Sequence, residues 1–364
     1  MRWDIQEKMQ KMLVNAVDES RERGIQVAAY YRGELIVDAW AGIADNKTGR
    51  QVDGATLFPV FSTTKGIAAT IIHLLAERGK LDYDQKICDF WPEFGVNGKE
   101  NATIRNALNH TIGIPQMPED IGYAEIADWG RMCAEVARLA PLWIPGEHME
   151  YHAITFSWII GELAHRIDGR PFSQIMEEDI CKPLGIKDMY VGIPDEVESR
   201  VAILEEPGFD LSNISAADFR SIPAWIWPLH EWMNRPDARR ACIPASNGIM
   251  TAKAIARHYA ALLPGGVDGI ELLPPSRVKI ASEPLKLPDG TLSSMSMGYF
   301  TGAKDSIMGS RSSVFGHEGY GGSVGFADPE HHFAVGLVKN LSVKNGIGFA
   351  VIDELKKLLG IPKD

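Results

Sequence analysis

Ser62 and Lys65 stand three residues apart in the segment FSTTKG, residues 61–66, and pair a potential nucleophile with a potential base. A serine hydroxyl attacks poorly until a neighbouring group takes its proton. The apolar-periodic run that follows, GIAATIIHLLAERG, predicts a helix ending near Gly79. On such a helix Ser62 and Lys65 lie one turn apart and face the same cavity. Ser62 then sits at the positive end of the helix, which favours developing negative charge and disfavours an ammonium. A neutral Lys65 in that position can accept the serine proton.

Two other segments carry similar patterns. Ser276 and Lys279 repeat the S-x-x-K spacing, but they follow Pro274-Pro275 and open no long apolar helix. Gly321-Gly322-Ser323-Val324-Gly325 has the spacing of a nucleophile elbow, which requires a strand before the serine and a helix after it. The residues after Ser323, FADPEHHFAVGLVKN, read as strand, turn and strand, so these glycines are expected at a tight bend. His148 and His152 are four apart, yet HMEYH is not the H-E-x-x-H of a zinc site, and no metal is expected. His331 and His332 fall in a turn-like DPEHH stretch and are expected to be solvated.

The elements around the serine helix follow from periodicity. Residues 4–23 place Ile5, Met9, Met12, Leu13, Ala16 and Val17 on one helical face. Asp4 and Glu7 resemble a capping box, and Gly24 a stop. IQVAAYY and ELIVDAW, separated by Arg32-Gly33, read as a hairpin. Residues 81–235 are helical in pattern and broken by Pro145-Gly146 and Pro183-Leu184-Gly185. Strand patterns return in SSVFGHEG, GSVGFAD and HFAVGLVKN, before a last helix from about Phe349 to Leu359. This order implies one α/β unit, 1–80 with 236–364, and a mainly helical insertion, 81–235, with the active site at their interface.

The chain has 364 residues, 45% of them hydrophobic, enough for a large core. Its net charge of −11 and the absence of a dense Lys/Arg run argue against nucleic-acid binding. No apolar run approaches the ~20 residues that span a bilayer. MRWDIQEKMQKML lacks an apolar signal region, and Cys88, Cys133, Cys181 and Cys242 are scattered. Free thiols and a cytoplasmic setting are therefore expected.

Taken in order, the motifs resemble the serine β-lactamase and penicillin-binding-protein superfamily, in its class C-like branch with the family VIII carboxylesterases. FSTTKG is similar to the first family motif and LNHTIGI, 108–114, to L-x-H-T-S-G. Trp143-Ile144-Pro145-Gly146 leading to Glu150-Tyr151-His152 resembles P-G-x-x-x-x-Y. PLGIKDM (183–189) and PASNGIMTA (244–252) resemble structural signatures, and His317-Glu318-Gly319 stands where the family carries K-T-G or H-x-G. The resemblance covers nearly the whole chain. It implies an α+β fold, an antiparallel sheet flanked by helices plus a helical domain. It implies Ser62 as the acylated nucleophile, with Lys65 and Tyr151 sharing general-base work. His317 would flank the site, and the backbone N–H groups of Ser62 and Tyr320 would form the oxyanion hole. Glu318 and Gly319 would border the substrate. Trp225, Trp227 and Trp232 either line an acyl pocket or pack between the helical region and the site, and 205–240 is a possible lid. No cofactor is implied.

Two positions depart from the β-lactamases of that branch. Ala153 stands where they carry an asparagine that contacts the acyl side-chain carbonyl, and His317 replaces the K-T-G lysine. A site built on a polar contact loses heavily without its partner. The reading is therefore a carboxylesterase acting on short-to-medium acyl esters. An acyltransferase, a β-lactamase or D-amino-acid peptidase or amidase, and a catalytically weak acyl-binding or scaffold protein are the alternatives.

Overall fold

The structure is a computed structural model and describes residues 2–287, 290–343 and 346–362. The first helix runs Arg2–Asp18, shorter than the sequence suggests. Ser20 takes a φ of +57°. A helix does not continue through that left-handed conformation, so the chain reverses and Gly24 opens a strand. Asp4 lies inside the first turn rather than capping it, where its charge still suits the helix dipole.

Strands β1 (Gly24–Tyr31) and β2 (Glu34–Asp45) form the expected hairpin. Arg32 and Gly33 have φ values of +52° and +77°. That pair of left-handed residues matches the twist of the strands it joins. The remaining strands are β3 (Arg50–Gln51), β4 (Phe58–Pro59), β5 (Met189–Val191), β6 (Gly248–Met250), β7 (Phe300–Thr301), β8 (Phe315–Glu318), β9 (Val324–Asp328) and β10 (Phe333–Lys339). The large sheet is antiparallel, in the order β3-β2-β1-β10-β9-β8-β7, so chain from both ends meets at the β1–β10 pair. A small sheet has the order β4-β6-β5.

Alternation along the strands sorts side chains to two faces. Ile25, Val27 and Ala29 share one cluster with Ile5, Met9 and Leu13 of the first helix and with Val351, Ile352 and Leu355 of the last, Gly348–Leu358. Ala28, Tyr30, Phe315 and Ala327 face the other way, into the cluster that holds helices Thr64–Glu77, Phe156–Asp168 and Ala252–Ala260. One cross-strand row on that second face reads Ala28, Gly336, Gly325, His317. Its glycines let a helix lie almost on the backbone. A Cβ on Gly336 would stand 2.2 Å from the Ala252 carbonyl oxygen, and one on Gly325 would stand 2.2 Å from Ile255 Cγ2.

The 81–235 region contains helices Ile104–Leu108, Trp129–Arg138 and Phe156–Asp168 and many single turns, but also β5, which pairs with β6. Most of its buried hydrophobic residues belong to the same cluster as the sheet's second face, while Ile193, Val197 and Val201 form a small cluster with Leu57 and Ile249. We propose that 1–80 with 236–364 and 81–235 are two lobes over one shared core, with β5 crossing between them. Among the described residues no helix is long and apolar enough to cross a membrane.

Gly336→Ala tests the close packing: crowding at this row should cost about 1–3 kcal/mol in urea unfolding. An unchanged midpoint would mean that the helix stands farther from the sheet.

Candidate active site

Ser62 is placed by the small sheet. β4 ends at Pro59, and the Val60 N–H donates to the Gly248 carbonyl at 2.9 Å. Thr64 Oγ1 accepts from the Gly248 N–H at 2.9 Å and donates to the Phe61 carbonyl at 2.5 Å, tightening the turn. Phe61 has a φ of +45°. A bulky residue in that region is strained and persists only where its surroundings hold it. The turn Phe61–Thr63 then runs directly into helix Thr64–Glu77. The expected arrangement of serine and lysine on one helical turn is thus present.

Lys65 is fully buried. Its Nζ is hydrogen-bonded to Ser62 Oγ at 3.2 Å and donates to the Ala153 carbonyl at 2.7 Å and to the Ala245 carbonyl at 2.9 Å. Burial holds its pKa well below the usual lysine range. The nitrogen also stands 4.7 Å from the centroid of the Tyr151 ring. Tyr151 Oη is buried and makes no hydrogen bond that meets ordinary geometry among the described residues. Burial pushes its pKa up, and the nearby Ser62 hydroxyl opposes that shift.

Two histidines fix the backbone that carries Tyr151. The His152 N–H donates to His110 Nδ1 at 3.1 Å. His152 Nδ1 meets the Glu150 carbonyl at 2.6 Å, and its Nε2 accepts from the Ile114 N–H at 3.0 Å. A carbonyl only accepts, so the proton sits on Nδ1 and the ring is a fixed neutral tautomer. The His110 ring lies between Tyr151 and Phe156, each centroid 4.9 Å away. His148 packs edge-on against Trp143 instead.

His317, on β8, is buried at the end of the small-residue row. Its Nδ1–H donates to the Glu318 carbonyl at 2.7 Å, which leaves Nε2 as an acceptor. Its ring stacks on Phe300 at 4.2 Å and stands 6.1 Å from that of Tyr151. Gly319 lies against the serine turn: a Cβ there would stand 2.1 Å from the Val60 carbonyl oxygen and 2.8 Å from Thr63 Oγ1. Thr63 Oγ1 also donates to the Ser323 carbonyl at 3.2 Å. Tyr320 opens a tight turn, Tyr320–Gly322, and Ser62 lies in the first turn before its helix. N–H groups at such positions have no partner within their own turn. The Tyr320 hydroxyl donates to Glu206 Oε1 at 2.5 Å, and Glu206 Oε2 stands 3.2 Å from His230 Nδ1.

A cleft of about 430 Å³ is bordered by Ser62, Tyr151, Ala153, Phe300, Glu318, Gly319 and Tyr320, with Lys65 and His317 behind its lining. Its apolar wall is formed by Ile154, Ile222, Leu229 and Trp232. Trp225 and Trp227 are not on it. Trp225 packs edge-on against Tyr123, and Trp227 stands behind Tyr320 with ring centroids 5.9 Å apart. Glu318 borders the cleft, but its Oε1 accepts from Ser306 at 2.9 Å and burial raises its pKa.

The competing motifs do not form sites. Ser276 and Lys279 are exposed on the short helix Pro275–Ser282. Ser323 is buried and leads into β9, not into a helix. His331 is tied to Asp328 at 3.0 Å and to Arg311 at 2.6 Å, so the expectation that it is solvated is corrected: the turn folds it back onto a buried carboxylate. Of the three tryptophans offered for an acyl pocket, Trp232 alone lines the cleft. His110, Phe300 and Glu206 are not anticipated as site residues. His110 lies within the LNHTIGI stretch, whereas no spacing signal points to the other two.

The sheet and the helices packed on it are those of the β-lactamase/transpeptidase fold, and the relatives below make the chain a hydrolase of that fold. The chain belongs to the β-lactamase family, whose profile, described as Beta-lactamase, matches residues 9–355. It is 32% identical over 335 residues to the esterase/beta-lactamase LipL of Mycobacterium tuberculosis (strain ATCC 25618 / H37Rv), covering 87% of this chain and 77% of that protein. A family VIII carboxylesterase crystal structure superimposes with a TM-score of 0.86 at 29% identity, over 96% of this chain and 97% of the other. A penicillin-binding-protein homologue from Caulobacter crescentus gives 0.83 at 30% identity, over 97% of each chain.

The buried imidazoles predict acid sensitivity. Burial lowers His73 and His152 to about 4, and His258 and His317 to about 3. Unfolded histidines protonate near pH 6.5. Above that pH both states are neutral and stability is full. Between about 6.5 and 4 the unfolded chain binds more protons, so stability falls as pH falls. The thermal midpoint should drop steadily from about pH 7 to pH 4.5, whereas a flat profile would mean that these rings are not held neutral.

Proposed function

We propose that the protein is a carboxylesterase that hydrolyses small, uncharged acyl esters through a Ser62 acyl-enzyme. The observation that carries this reading is the buried Lys65 nitrogen 3.2 Å from Ser62 Oγ, at the floor of a cleft. Burial favours an amine over an ammonium at Lys65 and a phenol over a phenolate at Tyr151. The Lys65 amine accordingly takes the serine proton as Oγ bonds to the acyl carbon. The carbonyl oxygen gathers negative charge, stabilised by the N–H groups of Ser62 and Tyr320. When the tetrahedral adduct collapses, the C–O bond to the alcohol breaks. The departing oxygen takes a proton from Tyr151, which recovers it through Lys65. Water then attacks the acyl carbon with the same groups acting in reverse order, releasing the acid and Ser62.

The substrate class rests on what the cleft offers. Ala153 borders it without a side-chain amide, and His317, stacked on Phe300 behind the lining, is held neutral. Neither can serve an antibiotic's amide and carboxylate as an asparagine and a lysine would. The relative named esterase/beta-lactamase keeps β-lactam hydrolysis as a second, slower reading. The four free thiols support a cytoplasmic setting.

Steady-state hydrolysis of p-nitrophenyl butyrate tests the reading. Wild type should turn over, Ser62→Ala should lose at least about 10³-fold and Tyr151→Phe about 10²-fold or more. Retained activity in Ser62→Ala would remove Ser62 as nucleophile. Nitrocefin cleavage faster than that of the ester would overturn the preference for uncharged esters.

A further inference from the structure

The cleft's polar side chains are nearly all committed to other protein groups. Glu150 pairs with Arg220 at 2.5 Å. Asp218 accepts from Ser215 as part of a helix cap. Ser221 donates to the Ala217 and Asp218 carbonyls, Glu318 accepts from Ser306, and Tyr320 donates to Glu206. Ser62 Oγ is hydrogen-bonded to Lys65 Nζ. Two hydroxyls on the cleft have no partner among the described residues: Tyr151 Oη, which the proposed chemistry uses, and Ser246 Oγ, which it does not.

Ser246 is 7% exposed, and its hydroxyl oxygen is shut off from bulk solvent. Leaving such a group unpaired costs about 1–3 kcal/mol, so it calls for a reason. The segment carrying it is rigid. The preceding Ala245 carbonyl accepts from Lys65 at 2.9 Å, and the Ala245 N–H donates to Ser157 Oγ at 3.0 Å. The Ser246 N–H donates to the Ile243 carbonyl at 2.9 Å. The following Asn247 carboxamide bonds the Ala238 and Ala241 carbonyls and the Ile243 N–H. Ser246 is thus a fixed hydroxyl, one residue from the lysine's own anchor, on a cleft that also presents Ile154, Leu229 and Trp232.

We propose that Ser246 is a specificity-determining residue whose hydroxyl donates to an oxygen within the acyl group, so that the cleft favours alkoxy-, hydroxy- or oxo-substituted acyl esters over plain alkanoyl ones. This rests on the Ser62 acyl-enzyme reading. It adds a hydroxyl donor to a cleft in which Ala153 offers no side-chain partner.

The test uses two esters of matched shape, p-nitrophenyl butyrate and p-nitrophenyl methoxyacetate, in which an ether oxygen replaces a methylene. Wild type and Ser246→Ala are compared by the ratio of their kcat/KM values for the two esters, so the intrinsic reactivity of each ester cancels. The ratio of methoxyacetate to butyrate should fall about fivefold in Ser246→Ala, the worth of one neutral hydrogen bond. The variant's thermal midpoint should match or exceed that of wild type, because no protein bond is lost. An unchanged ratio, including an equal loss on both esters, would overturn the proposal while leaving the esterase reading intact. If wild type cleaves neither ester, both fall together.

Discussion

The site depends on burying one lysine. Lys65 Nζ meets three oxygens from three separate parts of the chain: Ser62 on its own helix, Ala153 just after Tyr151, and Ala245 just before β6. A buried ammonium without a carboxylate costs several kcal/mol. A neutral amine fits the same oxygens at far less cost, with its two N–H groups on the Ala153 and Ala245 carbonyls and its lone pair towards the Ser62 hydroxyl. The same placement therefore gathers the three segments and, in the proposed mechanism, leaves the amine ready to accept a proton. Tyr151 shares the environment with the opposite sign, since burial keeps its phenol protonated. In the proposed mechanism, acid and base are thus distinguished by burial acting on two different groups.

The sheet supports this arrangement by lacking side chains where they would intrude. Ala28, Gly336 and Gly325 clear a path for helix Ala252–Ala260, and the row ends on His317 beside Tyr151. Gly66 has the same function on the serine helix, where a Cβ would stand 2.1 Å from Tyr259 Oη and 3.5 Å from His317 Cβ. Gly319 brings the end of β8 against the Val60–Thr63 turn. The turn after β8 is held by Tyr320, whose hydroxyl is bonded to Glu206 and whose ring packs on Phe61 and Trp227.

Much of this was legible in the sequence because it is local. The Ser62–Lys65 spacing needs only a helix, the hairpin needs alternation and a turn, and the order of motifs carries the family. What was not legible is long-range. Nothing near Trp232 indicates that it borders the cleft while Trp225 and Trp227 pack elsewhere, since that depends on how the 205–240 segment lies across the site. Ser246 lay inside a recognisable stretch, but its lack of a partner is a property of the assembled cleft. The over-long first helix failed at a single residue, Ser20, whose left-handed backbone no hydrophobic pattern encodes.

The central claim is a covalent ester on Ser62. The direct measurement is the intact mass of protein mixed with excess p-nitrophenyl butyrate and quenched in acid within the first turnovers, followed by peptide mapping. The account predicts a butyryl adduct confined to the peptide containing Ser62 and absent from Ser62→Ala. Turnover with an adduct on Ser323, on Ser276 or on any other residue would contradict it.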